Sequence, residues 1–447
     1  MSKLDIGRVI PKFPRHTAAD NNATGQIVRR TYRRMRSRIL FLSQCLPFPP
    51  DSGVTNRTYH ILQQLQRTFD VTLVAFSRRN HQPHAPARAA ATAALRKELF
   101  EVFDPVPIAS EWSLTTKLRI HASSLLTGKP YTFFEYGNPT YARELSAAVE
   151  RASPDIVHLD SMDLYRWLPM LPAVPTACTH HNVESDLLSL RADHLPNRAA
   201  SAYVSHQARQ VEKVERKLCP RFDVNIMTSR IDAERLGVLA AGARTHVVPN
   251  GVDVDYFRPT PRELVKPGRV VFLGPTYMFP NRDAVEFFLD AVWPIVRKQC
   301  PEATLDLIGK SRPGDKALFE KHAGVACHGY VADIRPYFSE AACSVVPLRV
   351  GGGTRLKILD AWSMGKAIVS TRVGCEGLET VDGQNILIRD DPANFAEAVV
   401  NVLRDSSLQE RLGREGRRTA EGIYAWPVVG ENLTGLYHKL IEGEKVP

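Results

Sequence analysis

The chain's 447 residues are too many for one hydrophobic core and call for two domains, each long enough to bury its own interior. Its 44% hydrophobic and 24% charged content is that of a soluble globular protein, and the absence of an apolar run of about 18 residues or of an apolar stretch at the N-terminus argues against a membrane span or a signal peptide. Seven scattered cysteines, never spaced CxxC, read as free thiols of a reducing compartment, and the net charge of +10 is concentrated in residues 1–38, where ten cations face two acids, so the body lacks the basic patch a nucleic-acid enzyme needs.

Residues 1–37 read as a basic, flexible arm, either able to touch anionic lipid or an inert extension. Ordered structure is expected from residue 38, where Ile39-Leu40-Phe41-Leu42 is a buried-strand run leading into a loop with Gly53. Tyr59, Leu62 and Leu65 then repeat at helical spacing, and Val71 to Phe76 form the next strand. Strand, loop, helix and strand within about 40 residues make a βαβ unit, which implies a parallel sheet with ligands at the strand ends. Gly53 is either a plain turn or a point where the loop passes close to a substrate.

Surface helices are expected over 85–99 and 114–126, and strands over 154–160, which includes a lead-in turn, and 175–179. The second strand ends in His180-His181-Asn182-Val183-Glu184, on the edge where doubly wound folds keep their sites. A histidine there is a base, a hydrogen-bond donor or a structural residue; adjacent histidines would not share one face of a strand, which disfavours a metal. A helix over 199–218, a strand at Val224 to Thr228, a helix over 232–239 and a short strand at His246-Val247-Val248 complete the first domain, 38–251. Pro259, Pro261 and Pro267 mark a linker over 252–268.

A second βα series fills 269–425, and a terminal helix lies within 426–447. Its strands are expected at 269–274, 305–309 and before Tyr330, with a helix from Pro280 through Val296. The densest stretch is 345–371, which reads strand, loop, helix, strand. Gly351, Gly352 and Gly353 leave the loop without side chains, Thr354 is placed to cap the helix, and Gly365 ends it. Glycines before a helix N-terminus let backbone approach a ligand, and the free N–H groups favour an anion. Arg355 and Lys357 add two cations, and Asp360 follows one turn on, where a carboxylate can accept from the paired hydroxyls of a ribose. The same stretch is also compatible with an ordinary βα turn, since no P-loop or GxGxxG fingerprint is present.

The order of these signals resembles the GT-B glycosyltransferases of the retaining group 4. The resemblance covers most of 38–440 and rests on Val248-Pro249-Asn250-Gly251-Val252-Asp253, Phe272-Leu273-Gly274, Gly329-Tyr330-Val331 with Asp333-Ile334, Pro347, Asp360 to Gly365, and Tyr424-x-Trp426. It implies an α/β protein of two Rossmann-like, doubly wound domains facing a cleft, the first holding the acceptor and the second a nucleotide-sugar donor. It also implies a last helix that returns to the first domain, and no metal or other cofactor. Asp360 matches the second acid of the family's E-x7-E motif, whereas the first acid falls on Gly352, which implies altered contacts to the donor sugar. The family's cation pair after the first strand of the second domain is missing from Gly274 to Asn281, which leaves Arg355 and Lys357 as candidates for the diphosphate. His181 matches a histidine near the reacting sugar, and Gly53 the glycine loop of the acceptor domain.

These correspondences imply a hexosyltransferase that moves a sugar from a UDP- or GDP-linked donor to a glycan or polyprenyl-linked acceptor with retention, at the cytoplasmic face of a bacterial membrane. Catalytic roles fall to His181 and Arg355, and donor binding to Gly274, Asn281, Gly351, Gly352, Gly353, Thr354, Lys357 and Asp360. Two other readings stand beside it. One is a non-catalytic sugar-nucleotide-binding component of a polysaccharide assembly complex, motivated by Gly352 and by Asp in place of Glu at 360; the other is a sugar-nucleotide epimerase.

Overall fold

A computed structural model describes residues 36–444 of the chain. The expected basic arm lies almost wholly outside the described residues. At its inner end, Arg36 donates to the Arg67 carbonyl at 2.8 Å, and the Arg38 amide donates to Asp155 at 2.7 Å.

The first domain is built on an eight-stranded, all-parallel sheet. Its strands are β1 (Arg38–Ser43), β2 (Asp70–Ser77), β3 (Glu101–Val102), β4 (Val106–Pro107), β5 (Ile156–Leu159), β6 (Thr176–His180), β7 (Val224–Met227) and β8 (Thr245–Val247). They run β3-β2-β1-β5-β6-β7-β8, with β4 also on β2. The Ile39-to-Leu42 run is apolar throughout because β1 is buried on both faces. Ile39 and Phe41 enter one core layer and Leu40 and Leu42 the other, as the two-residue period of a strand requires.

The second domain has a six-stranded parallel sheet. It comprises β9 (Arg269–Leu273), β10 (Thr304–Ile308), β11 (Val325–Gly329), β12 (Cys343–Val346), β13 (Ile368–Ser370) and β14 (Leu387–Ile388), in the order β11-β10-β9-β12-β13-β14. One continuous core surrounds it. Chain order reverses between β1 and β5 in the first sheet and between β9 and β12 in the second. These are the crevices where doubly wound sheets leave strand ends open to a ligand.

The terminal helix Trp426–Ile441 packs on the first domain. Trp426, Val429, Leu433, Leu436 and Tyr437 join the core layer of Ile39 and Phe41, against the helix Gly53–Leu65. The approach is close: a Cβ at Gly430 would lie 2.6 Å from that of Gln64. Trp426 also stacks on His60 at 4.7 Å between ring centroids.

Four α-helices escape the sequence reading: Tyr131–Glu135, Pro139–Ala152, Glu184–Asp193 and Asp315–Phe319. The expected helix 280–296 is two, Phe279–Phe287 and Trp293–Gln299, joined by a wider turn over Phe288–Val292. All seven cysteines are buried free thiols. Among the described residues no helix is long and apolar enough to cross a membrane.

Candidate active site in the interdomain cleft

In the second domain the crevice between β9 and β12 gathers Gly274, Asn281 and Lys357. Gly274 follows β9 directly, and Lys357 lies in the first turn of the helix Leu356–Ser363 that follows β12. Lys357 Nζ donates to Asn281 Oδ1 at 2.8 Å and sits 4.7 Å from the centre of the Phe272 ring. A Cβ on Gly274 would lie 2.6 Å from that Asn281 oxygen and 2.8 Å from Nζ, so only glycine leaves this corner open. Burial, with Arg355 nearby, pulls the Lys357 ammonium down to about 7, and it makes no ion pair with a carboxylate among the described residues. It is a desolvated cation without a counter-charge.

Asp360 is one turn further along. Its carboxylate makes no hydrogen bond or ion pair among the described residues, and burial raises it to about 7. An acid without a partner and a cation with only a neutral one, on one short helix, are costly in an empty protein, and both would be satisfied by a ligand carrying hydroxyls and an anion.

The expected cap and the expected phosphate cation are both corrected by the geometry. Thr354 does not cap the helix: the helix begins at Leu356, Arg355 occupies the capping position without a side-chain bond, and the Thr354 hydroxyl is buried without a partner. Arg355 folds back under the glycine loop, donating to the carbonyls of Gly352 and Gly353 and, at 3.2 Å, to that of Val373. Three carbonyls compete with an outside ligand for its guanidinium, so it fixes the loop. Burial lowers its pKa.

The first-domain wall lies at the carboxyl ends of β1, β5 and β6. Ser43 ends β1, Asp160 follows β5 and His181 follows β6. Asp160 Oδ2 accepts from Thr58 Oγ1 at 2.6 Å and from Ser43 Oγ at 3.1 Å. Burial alone would raise this acid, but its hydrogen bonds and the surrounding histidines outweigh burial and hold it below the usual carboxylate range. His181 Nε2 meets the Asp160 carbonyl at 3.0 Å; a carbonyl only accepts, so Nε2 carries the hydrogen. Burial holds the ring pKa down despite Asp160, so His181 is neutral, and Nδ1 is left as an acceptor without a protein partner among the described residues. His180 points elsewhere, to Asn225 Oδ1 at 3.0 Å. Sequence reading missed Asp160 because a lone Asp at the end of a strand run carries no motif.

Gly53 is not in a flexible loop as expected but is the first residue of the helix Gly53–Leu65, capped by Ser52, whose oxygen accepts from the Thr55 amide at 3.3 Å. A Cβ at Gly53 would find as its nearest neighbour the Leu356 Cδ1, at 3.9 Å. Leu356 is the first residue of its own helix, so the amino ends of two helices, one from each domain, meet in the cleft. Both dipoles favour negative charge there.

A cavity of about 500 Å³ opens on the other side of the glycine loop, walled by Asn182, Leu187 and Leu190 of the first domain and by Arg349 and Gly351 to Gly353 of the second; Lys357, Asp360 and His181 are not in its lining. Gly353 has φ +74°, and a Cβ there would lie 3.0 Å from Asn182 Oδ1. The glycine run thus lets the segment after β6 pack close against this loop. Ion pairs cross the cleft from Arg235 to Glu376 at 2.7 Å and from Arg230 to Glu379 at 3.1 Å.

Comparison with known proteins places this geometry. Residues 52–256 match the family described as Glycosyltransferase Family 4, and residues 267–405 match Glycosyl transferases group 1. A 247-residue stretch, 52% of this chain, is 29% identical to 62% of the phosphatidyl-myo-inositol mannosyltransferase of Mycobacterium tuberculosis. Another of 151 residues, 32% of this chain, is 25% identical to 39% of an uncharacterized protein in the cps region of Klebsiella pneumoniae. The matches therefore span less than two thirds of either relative. The solved structure of Anabaena HepE in complex with UDP superimposes with a TM-score of 0.62 at 14% identity, covering 90% of this chain and 100% of that one. By both domain matches and by its two-sheet architecture, the chain belongs to the group 1/family 4 glycosyltransferases and has the GT-B fold.

Proposed function

We propose that the chain transfers a hexose from a UDP- or GDP-linked donor to a glycan or lipid-linked glycan acceptor, with retention and without a metal, in the synthesis of a bacterial exopolysaccharide or cell-surface polysaccharide. The carrying observation is the meeting of two helix amino ends beside Lys357, a half-buried, desolvated cation without a carboxylate partner. The UDP held by the Anabaena neighbour supports the donor class, and the cps-region and mannosyltransferase relatives support the acceptor class.

The chemistry follows from charge. Departure of a nucleoside diphosphate builds negative charge on the leaving oxygens, and a preorganised cation with helix-end N–H groups stabilises that state more than the ground state. Lys357 takes this part, and Arg355 fixes the loop. Asp360 accepts from the ribose hydroxyls. Neutral His181, on the opposite wall, accepts from a donor-sugar hydroxyl through Nδ1 and orients the sugar. No carboxylate is assigned as a covalent nucleophile, so transfer on the front face, with the leaving phosphate taking the acceptor proton, accounts for retention. A product of inverted anomeric configuration would exclude this route.

The test is a thermal-shift screen against UDP, GDP and their hexose conjugates. A nucleotide at about 100 times its Kd should add roughly 2.7 kcal/mol of stability. Lys357→Met and Asp360→Ala should each abolish most of the shift. If no nucleotide shifts the wild type at millimolar concentration, the donor reading fails. Gly352, standing where the family has an acid, favours a second reading, a binding component without turnover; a nucleotide shift with no transfer to any glycan acceptor would select it.

A further inference from the structure

Shortly after Gly274 the second domain exposes three large apolar side chains in succession. Tyr277, Met278 and Phe279 are 52%, 47% and 47% exposed, and among the described residues no other three consecutive large apolar side chains are. A loose segment is not the cause. The Thr276 amide donates to the Lys310 carbonyl at 2.9 Å, the buried Thr276 hydroxyl donates to Asp315 at 2.5 Å, and Arg312 donates to the Tyr277 carbonyl at 2.9 Å. Asp315 also accepts from Arg282, in the helix Phe279–Phe287 that follows. A turn bonded on both sides thus holds an apolar lip in water, which costs free energy unless a partner covers it.

The lip borders the cavity beyond the glycine loop. The Phe279 ring lies 5.5 Å from that of His194, which lines the cavity, and a Cβ on Gly351 would lie 3.7 Å from Pro280 Cβ. Across from the lip the first domain supplies Leu187 and Leu190 as apolar surface, and Asn182, Asp186 and His194 as hydrogen-bonding groups. His194 Nδ1 meets the Leu190 carbonyl at 2.8 Å, so Nδ1 carries the hydrogen and Nε2 of the neutral ring is left as an acceptor. The volume of about 500 Å³ lies within the roughly 300–1,000 Å³ of small-molecule sites.

Sugar rings suit such a lining. The C–H face of a pyranose is apolar and is desolvated at little cost against an aromatic ring, while its hydroxyl edge needs hydrogen-bonding groups of the Asn, Asp and His kind. A nucleobase also stacks on aromatic rings, but the residues assigned to its ribose and diphosphate, Asp360 and Lys357, line no part of this cavity. Tyr277, Met278 and Phe279 lie outside the lining, so a ligand that both fills the cavity and covers the lip is longer than one ring. We propose that lip and cavity together hold the acceptor as an oligosaccharide of two or more sugars, and that the second domain thereby shares in acceptor recognition. The word acceptor rests on the transferase reading; the glycan site rests on the lining alone.

The experiment exposes the full chain, without nucleotide, to an array of immobilised bacterial glycans of one to six sugars. The wild type should be captured by at least one glycan of two or more sugars, and more tightly than by that glycan's terminal monosaccharide. Tyr277→Ser with Phe279→Ser should weaken this capture about tenfold or more, and His194→Ala on the opposite wall about threefold. UDP should raise the unfolding temperature of the lip variant as it does that of the wild type. These positions are exposed, so unfolding temperatures without ligand should match; if the lip pair lowers it, Met278→Ser alone should still weaken capture. The proposal is overturned if the wild type captures no glycan or single sugars only, or if the folded lip variant captures like the wild type. It is overturned too if the lip pair weakens UDP binding as much as glycan capture, which would make the lip a nucleobase platform, or if the wild type is a dimer that the pair converts to monomer. Absence of a UDP shift in the wild type would instead sink the donor reading and leave glycan capture standing.

Discussion

The two walls of the cleft are built on opposite electrostatic plans. On the first-domain wall, Asp160 accepts from Thr58 and Ser43, His181 is tied to the Asp160 carbonyl, and His158 bonds Thr179 at 3.2 Å and the Tyr437 hydroxyl of the terminal helix. On the second-domain wall, Lys357 has one neutral partner and Asp360 has none. Apart from the open Nδ1 of His181, the polar groups named on the first wall are paired in the empty protein, whereas those on the second are left largely unpaired. The difference separates two kinds of residue: changes in the first wall should register as lost stability, and changes in the second as lost nucleotide binding.

The sharpest way to break this contrast is Asp160→Ala. It leaves the Thr58 hydroxyl without its buried acceptor, while Ser43 keeps the Cys45 carbonyl at 2.8 Å, and should lower the stability of the empty protein by about 2 kcal/mol, measured by urea unfolding. Because the Asp160 pKa is depressed in the fold, its contribution is present above the ordinary carboxylate pKa and is lost as pH falls through the folded value, so the variant and the wild type should converge in acid. Equal stability at pH 7 would mean that this wall is not the closed network its bonds suggest.

Lys357→Met should act the other way, with unfolding free energy at pH 6 unchanged or raised and UDP affinity reduced about 30-fold, as expected for a charge-assisted contact of about 2 kcal/mol. The ammonium titrates near 7 in the empty site, and a bound diphosphate holds its proton. Wild-type affinity for UDP should therefore fall as pH rises from 7 to 9, and calorimetry on the variant should show that dependence flattened. A retained slope would assign the cation role elsewhere.

How much of this was legible depended on whether backbone or long-range pairing carried it. The buried run Ile39 to Leu42 and the glycines after β12 declare themselves locally, because a two-face-buried strand and a side-chain-free loop each leave a pattern in consecutive residues. The helix Pro139–Ala152 was legible too, with Tyr141, Leu145, Ala148 and Ala152 at helical spacing behind the Asn138 cap, but was not read. The role of Arg355 was not legible. An arginine after three glycines reads as a phosphate ligand, and only the fold shows that the carbonyls of Gly352, Gly353 and Val373 are nearer. Asp160 and Ser43 are 117 residues apart and meet only because β1 and β5 are neighbours at the point where strand order reverses.

Asp360→Asn tests the open wall at its smallest expected effect. A carboxyl raised to about 7 in the fold, against its ordinary value of 3.8, keeps its proton longer when folded. Its favourable contribution is therefore full below about pH 3.8 and declines as pH rises through 7, the reverse of Asp160. Asparagine removes the titration with almost no change in shape. The variant should match the wild type near pH 4 and exceed it by about 1 kcal/mol at pH 8 in the absence of ligand, the value being modest because the side chain keeps some accessible surface. Binding should move oppositely. UDP should bind several-fold more weakly to Asp360→Asn while pyrophosphate binds as to the wild type, whereas Lys357→Met should weaken both. A variant that gains stability at pH 8 and still binds UDP normally would show that Asp360 is an unpaired acid of the core and not the partner of a ribose.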